Sequence, residues 1–166
     1  MKENRYSLQL PLTRLASSDE ARLCAELMSS SEPWTIIGRT FEESLSIIND
    51  KAKEVYLARV QGEFVGFLVI NMQGPFSGYI QSICIRSKWR NQGLGRQLIQ
   101  FAEERIFRDS PNVFMCVSSF NPNAYRLYLR LGYETVGELQ DYIIRGHSEI
   151  LLRRTIAPLS EFKKKE

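Results

Sequence analysis

The chain has a single histidine and three cysteines among its 166 residues, and each scarcity excludes something. Cys24, Cys84 and Cys116 are odd in number, far apart and set in apolar runs, so they read as small buried hydrophobes. Neither a disulfide framework nor a metal site is expected. No run of about eighteen apolar residues occurs, which excludes a membrane-spanning helix. Met1-Lys2-Glu3-Asn4-Arg5 leads into an alternating segment with no apolar signal stretch, so the expectation is a cytoplasmic protein. Excess charge is scarce too: the formal net charge is +3, and Lys163-Lys164-Lys165 supplies much of it, which argues against a nucleic-acid partner. Internal repeats and linkers are missing. A chain of this length, 43% apolar and 25% charged, predicts one soluble domain over residues 1–157 and a polar, frayed tail over 158–166.

What the chain does have is a distinctive junction at Arg90-Asn91-Gln92-Gly93-Leu94-Gly95. Before it, Tyr79-Ile80-Gln81-Ser82-Ile83-Cys84-Ile85 alternates as a partly buried strand would. After it, Leu94, Leu98, Ala102 and Ile106 recur every four residues as a helical stripe. Glycines between the two let the backbone turn sharply and approach a ligand closely. The first amides of a helix have no partner within it, and its dipole adds partial positive charge, so this end suits phosphate or pyrophosphate. Two familiar glycine loops do not fit. A dinucleotide fingerprint needs a third glycine and a later acid, and a P-loop needs Lys-Ser/Thr where this chain has Arg96-Gln97.

The element order extends this. Tyr6–Leu10 reads as a strand, Ser17 or Ser18 caps a helix carrying Leu23, Leu27 and Met28, and Ser29 to Trp34 breaks it. A short helix over Thr40–Asn49 precedes a hairpin of Val55–Val60 and Phe64–Ile70. The Tyr79–Ile85 strand, the glycine loop and its helix then lead to a strand at Asn112–Val117. A helix over Asn123–Leu131, ended by Gly132, is followed by closing strands at Tyr133–Leu139 and His147–Arg153. Hairpins mixed with helical crossovers predict a single mixed α/β sheet with helices on both faces.

The glycine loop resembles the Arg/Gln-x-x-Gly-x-Gly/Ala loop of the GCN5-related N-acetyltransferase (GNAT) superfamily. Asn121-Pro122-Asn123-Ala124, continuing through Leu127-Tyr128-Leu129-Arg130-Leu131-Gly132-Tyr133, is similar to that family's Asn-x-x-Ala-x-x-Leu-Tyr-x-x-x-Gly-Phe/Tyr segment. The two come in the family's order and spacing. The resemblance implies a mostly antiparallel sheet of six to seven strands with about four helices, the acyl-CoA N-acyltransferase fold. It further implies acetyl-CoA as acyl donor and transfer of its acetyl group to an amine. On that basis Ile83, Cys84 and Ile85 would splay from the Val113–Val117 strand and offer backbone groups to the pantetheine arm and the developing oxyanion. Asn91, Gln92, Gly93, Leu94, Gly95 and Arg96 would cradle pyrophosphate, with Arg90 and Arg96 adding charge. Asn121 or Asn123 would bond the pantetheine arm, and Tyr128 would serve the departing thiolate as general acid.

Each assignment has a simpler alternative. The asparagines suit helix capping, and Tyr128 with Leu127 and Leu131 suits the apolar face of a short helix. Trp34 and Tyr142 lie in the two segments that line the acceptor in this family, but Trp34 beside Pro33 also suits a core anchor. No general base is apparent. The strand before the loop carries Gln81 and Ser82, and Glu134, Glu138, Asp141, Glu149 and His147 in the closing strands have no motif to separate them. The acceptor, whether small amine, lysine or peptide N-terminus, and the oligomeric state are left open. A non-catalytic acyl-CoA-binding regulatory module is the competing reading.

Overall fold

The structure, a computed structural model, describes residues 10–164. Except for Leu10, the strand expected at Tyr6–Leu10 lies outside these residues, and the first described strand is β1 (Leu12–Arg14). α1 (Ser18–Ser29) begins where Ser17 Oγ accepts the Glu20 amide and the Glu20 carboxylate accepts the Ala16 amide, which pairs two donors at the helix entry. α2 (Phe41–Ile48) opens on a complete capping box between Thr40 and Glu43. β2 (Lys53–Val60) and β3 (Glu63–Asn71) form the expected hairpin. Gln61 and Gly62 turn it with φ of 50° and 81°, the doubly positive geometry that matches strand twist. There follow β4 (Tyr79–Ile85), a single 3₁₀ turn at Ser87–Trp89 that no pattern announces, and α3 (Leu94–Ile106). β5 (Asn112–Ser118), α4 (Pro122–Arg130), β6 (Glu134–Gln140) and β7 (Ser148–Thr155) complete the chain of elements.

The seven strands form one sheet in the order β1-β2-β3-β4-β5-β7-β6, antiparallel at every step except β4–β5. Four α-helices cover its two faces, as the pattern predicts. On one face the α3 stripe of Leu94, Leu98, Ala102 and Ile106 is buried with Leu68, Met115 and Leu152, and α4 leans on the same layer through Leu127 and Tyr128. On the other, Cys24 and Met28 of α1 and Ile48 of α2 pack with Leu57, Phe67 and Val69. Each such large side chain contributes about 1.5–3 kcal/mol on burial, so the two layers fix the strands from both sides. Cys24 and Cys84 sit in this second layer, as expected of small hydrophobes, whereas Cys116 is only half-buried.

The parallel seam is short. β4 and β5 pair only at Tyr79–Phe114 and Ile80–Met115, and beyond that point the strands separate. Gly78 pins the joined end: its carbonyl accepts the Phe114 amide at 2.9 Å, and its φ is +91°. A Cβ there would stand 2.4 Å from the Asn112 carbonyl oxygen and 2.5 Å from Ile106 Cγ2. Only glycine lets the chain enter β4 this close to both β5 and α3. Gly78→Ala is therefore expected to destabilise the fold by about 1–3 kcal/mol or more, through overpacking and backbone strain. A lowered midpoint in urea unfolding with an unchanged slope measures it.

Candidate active site

Where β4 and β5 part, a cleft of about 490 Å³ opens through the sheet. Its walls come from both layers. Ile83 and Ser82 of β4 face Val117 and Cys116 of β5, while Asn121, just before α4, and Ala124 and Tyr128 within it close one end. A β-bulge shapes the β4 wall. Ser82 lies opposite Val69 and Ile80 opposite Ile70, so Gln81 is an extra residue without a partner on β3. Bulges bend a strand and re-aim its groups, and here the irregularity falls at the mouth of the separation. With no strand partner across the gap, the inward backbone groups at Ile83 are offered to whatever enters, whereas the Ile85 carbonyl is taken by Arg90 Nε.

Tyr128 projects from the middle of α4 and meets Tyr133 edge to face, with ring centroids 6.1 Å apart. Burial pushes its hydroxyl up to about 12, so it stays protonated and is a donor throughout the neutral range. Asn121 is the N-cap of α4, its Oδ1 accepting the Ala124 amide at 3.3 Å. It also lines the cleft, so the capping role and the site position belong to the same side chain. Asn123, two residues further on, is exposed and does not line the cleft.

The opposite wall carries a carboxylate that no motif singled out. Glu149 of β7 pairs with Ser118 of β5 in the sheet register, and Ser118 Oγ donates to its Oε1 at 2.5 Å. The residue is only 6% exposed. Burial raises its carboxyl above the ordinary range and the Ser118 bond offsets part of that. No basic side chain among the described residues stands within 4.0 Å to neutralise it. Tyr79 and Cys116 share this wall, and burial raises both of their hydrogens' pKa values, so neither supplies an anion near neutrality. His147, by contrast, is exposed and stacked edge-on to Phe120 at 5.1 Å, a surface residue.

The cleft thus brings together Ile83, Asn121, Tyr128, Trp34 and Tyr142 from the residues singled out in the sequence. Trp34 does double duty: it is 9% exposed, tilts against Phe67 at 6.4 Å in the core, and still lines the cleft. Tyr142 is 66% exposed at the rim. Other members sit differently from a literal reading of the motif. The Cys84 side chain is buried in the α1–α2 layer and Leu94 in the α3 layer, so only their backbones could serve a ligand. Arg90 is tied back, its Nε donating to the Ile85 carbonyl at 3.0 Å, and it braces the loop from outside. Asn91, Gln92, Gly93 and Arg96 are exposed and do not line the cleft.

The loop nevertheless fits a phosphate. Gly93, at φ 81°, is the N-cap of α3 and has no side-chain cap bond. The amides of Gly93 to Arg96 therefore have no partner within the helix. A Cβ built on Gly93 or Gly95 meets no atom within 4 Å, so open space lies over both.

A family model described as the acetyltransferase (GNAT) family matches residues 21–133, which contain the glycine loop, α4 and Tyr128. The chain is 26% identical over 110 residues to an N-alpha-acetyltransferase of Sulfurisphaera tokodaii, a match covering 58% of this chain and 66% of that protein, just under two thirds of its length. It is 26% identical over 161 residues to the S-(2-succino)cysteine N-acetyltransferase of Bacillus subtilis, covering 88% and 96% of the two chains. The fold is similar to spermidine N-acetyltransferase from Vibrio cholerae solved with CoA and spermine. There the TM-score is 0.70 at 20% identity, over 89% of this chain and 95% of that one.

Glu149 makes a stability prediction of its own. A carboxyl whose pKa is raised by folding binds its proton more tightly in the native state. Its contribution is intact below the unfolded value of about 4.3 and is lost as pH rises through the folded value. Glu149→Gln is therefore expected to gain on the wild type in thermal midpoint as pH is raised from 4 to 7. Paired melts across that range check the sign.

Proposed function

Because the chain belongs to the acetyltransferase (GNAT) family, we propose that it is an N-acetyltransferase using acetyl-CoA to acetylate a primary amine. The observation that carries this reading is the single cleft between β4 and β5 that holds a buried, unneutralised glutamate and a protonated tyrosine together. Acetyl-CoA would supply the activated acyl group. The amides at the start of α3 would hold its pyrophosphate, Arg96 would add charge, and the open backbone of β4 at Ile83 would take its pantetheine arm.

An alkylamine is a cation near neutrality, with a pKa of about 10, and must lose a proton before it can attack. Glu149 is suited to receive that proton. Its raised pKa narrows the gap between base and amine, and no cation competes for it. Tyr128 acts at the leaving sulfur. An ordinary thiol lies near 8.5, so complete proton transfer from a tyrosine near 12 is uphill by roughly 5 kcal/mol. Tyr128 therefore works as a hydrogen-bond donor that strengthens as negative charge grows on sulfur, the proton following from solvent or through the hydroxyl. The competing reading, a non-catalytic acyl-CoA-binding regulatory module, drew on the lack of a glutamate on β4. Glu149 on β7 fills that role from across the cleft.

Calorimetry should show acetyl-CoA binding in the micromolar range and no binding of ATP. Gly93→Glu should abolish that binding with the far-ultraviolet circular dichroism unchanged. In steady-state acetyl transfer, Tyr128→Phe is expected to lower kcat by about 10²-fold or more, and Glu149→Gln by about 10²–10⁴-fold. The acidic limb of the kcat/KM profile should lie above the ordinary carboxylate value of about 4.3 and vanish in Glu149→Gln. Wild-type rates in both variants would remove these roles, and bound acetyl-CoA without transfer to any amine would favour the regulatory module.

A further inference from the structure

The acceptor end of the cleft carries more information than the transfer chemistry needs. It lies on the α1–α2 face of the sheet, under the segment that joins those two helices. Besides Glu149, the charged residues lining the cleft are Arg39 and Lys53, both cationic. Lys53 is already balanced, its Nζ lying 3.2 Å from Asp50 Oδ2. Arg39 is not. Among the described residues no carboxylate stands within 4.0 Å of its guanidinium, and its side chain makes no hydrogen bond there. Its backbone is held firmly, the Arg39 amide donating to the Trp34 carbonyl at 3.0 Å, and Thr40 next to it caps α2. A half-buried arginine on a fixed backbone, with its five donors uncommitted, is suited to grip a carboxylate through two parallel bonds.

The site is therefore bipolar. One wall presents an anion, Glu149, where an ammonium group would arrive, and the other presents a spare cation. A polyamine or other polycation would bring positive charge against Arg39, whereas a molecule bearing both charges meets a complement at each end. Resting on the transferase reading above, we propose that the acceptor is a small primary amine that also carries a carboxylate, of the free amino-acid class, and that Arg39 binds this carboxylate. In the reaction the amine nitrogen forms a bond to the acyl carbon as the thioester C–S bond breaks. Of the two protons the ammonium group gives up, one goes to Glu149 and on to solvent, and one ends on the departing sulfur. Trp34, against which Arg39 is hydrogen-bonded through the backbone, gives the pocket an apolar wall for the carbon skeleton between the two charges.

The test uses the full chain with acetyl-CoA and a panel of free amino acids, each set beside its own decarboxylated amine, with spermidine as a polycation control. We expect kcat/KM for the best amino acid to exceed that of its decarboxylated partner and of spermidine at least tenfold. Arg39→Gln should erase that preference by raising KM for the amino acid at least tenfold with kcat little changed, and Arg39→Lys should restore part of it. Acetyl-CoA binding by calorimetry verifies that each variant is folded. Faster turnover of spermidine or of the decarboxylated amines overturns the inference and leaves the transferase intact, as does a carboxylate preference that survives Arg39→Gln. Absence of transfer to every amine, with acetyl-CoA bound, overturns the transferase reading and the inference with it.

Discussion

The arrangement of this molecule follows from a parallel strand pair that starts and then stops. β4 and β5 are hydrogen-bonded for two residue pairs and then separate, although each continues for several residues more. A buried backbone needs partners, so a separation inside a sheet is tolerated only where something else can meet the freed groups. The joined end is fixed by Gly78, which has no room for a side chain, and the open end is held apart by α4 and the bulge at Gln81. Tyr128, Glu149 and Trp34 all line this opening, Tyr128 from α4, Glu149 from β7 and Trp34 from the segment between α1 and α2.

On the proposed reading, a base on β7 would reconcile two demands that conflict within one strand. A glutamate on β4 itself would lie next to the donor's carbonyl, whereas one on β7 reaches the cleft from the acceptor's side. The register fixes it: Glu149 pairs with Ser118, so β5 contributes the hydroxyl that orients the carboxylate and β7 contributes the carboxylate. The cost is a carboxyl group largely withdrawn from water, for which the Ser118 hydroxyl compensates in part. Such a position is more readily explained by chemistry than by stability.

Much of this is legible in the chain as written. The α3 stripe, the caps at Ser17 and Thr40 and the turn at Gln61-Gly62 each obey local rules, and local rules are what a sequence displays. The glycine loop and the Asn121–Tyr133 segment are equally visible, because each site group there belongs to one continuous stretch. Glu149 was indistinguishable from its acidic neighbours for the opposite reason. Its burial and its bond to Ser118 arise from pairing between residues 31 apart in sequence, and alternation alone cannot say which of two adjacent strands faces a cleft. Arg39 was silent likewise, since its importance lies in lacking a partner. The motif also overstates some members: Arg90 braces the loop through Ile85, and Leu94 is part of the core.

The short seam has a mechanical meaning. β1 to β4 form one antiparallel plate and β5, β7 and β6 a second, joined along the sheet by little more than Tyr79–Phe114 and Ile80–Met115. α3 spans the joint from above, and Glu103 on it grips Arg154 of β7 at 2.5 Å, so a helix fastens what the sheet leaves loose. A molecule lodged between the plates touches both and binds only when they are assembled. Its occupancy and the integrity of the joint would then be one equilibrium seen from two ends, so that resistance to unfolding rises with the concentration of whatever binds there.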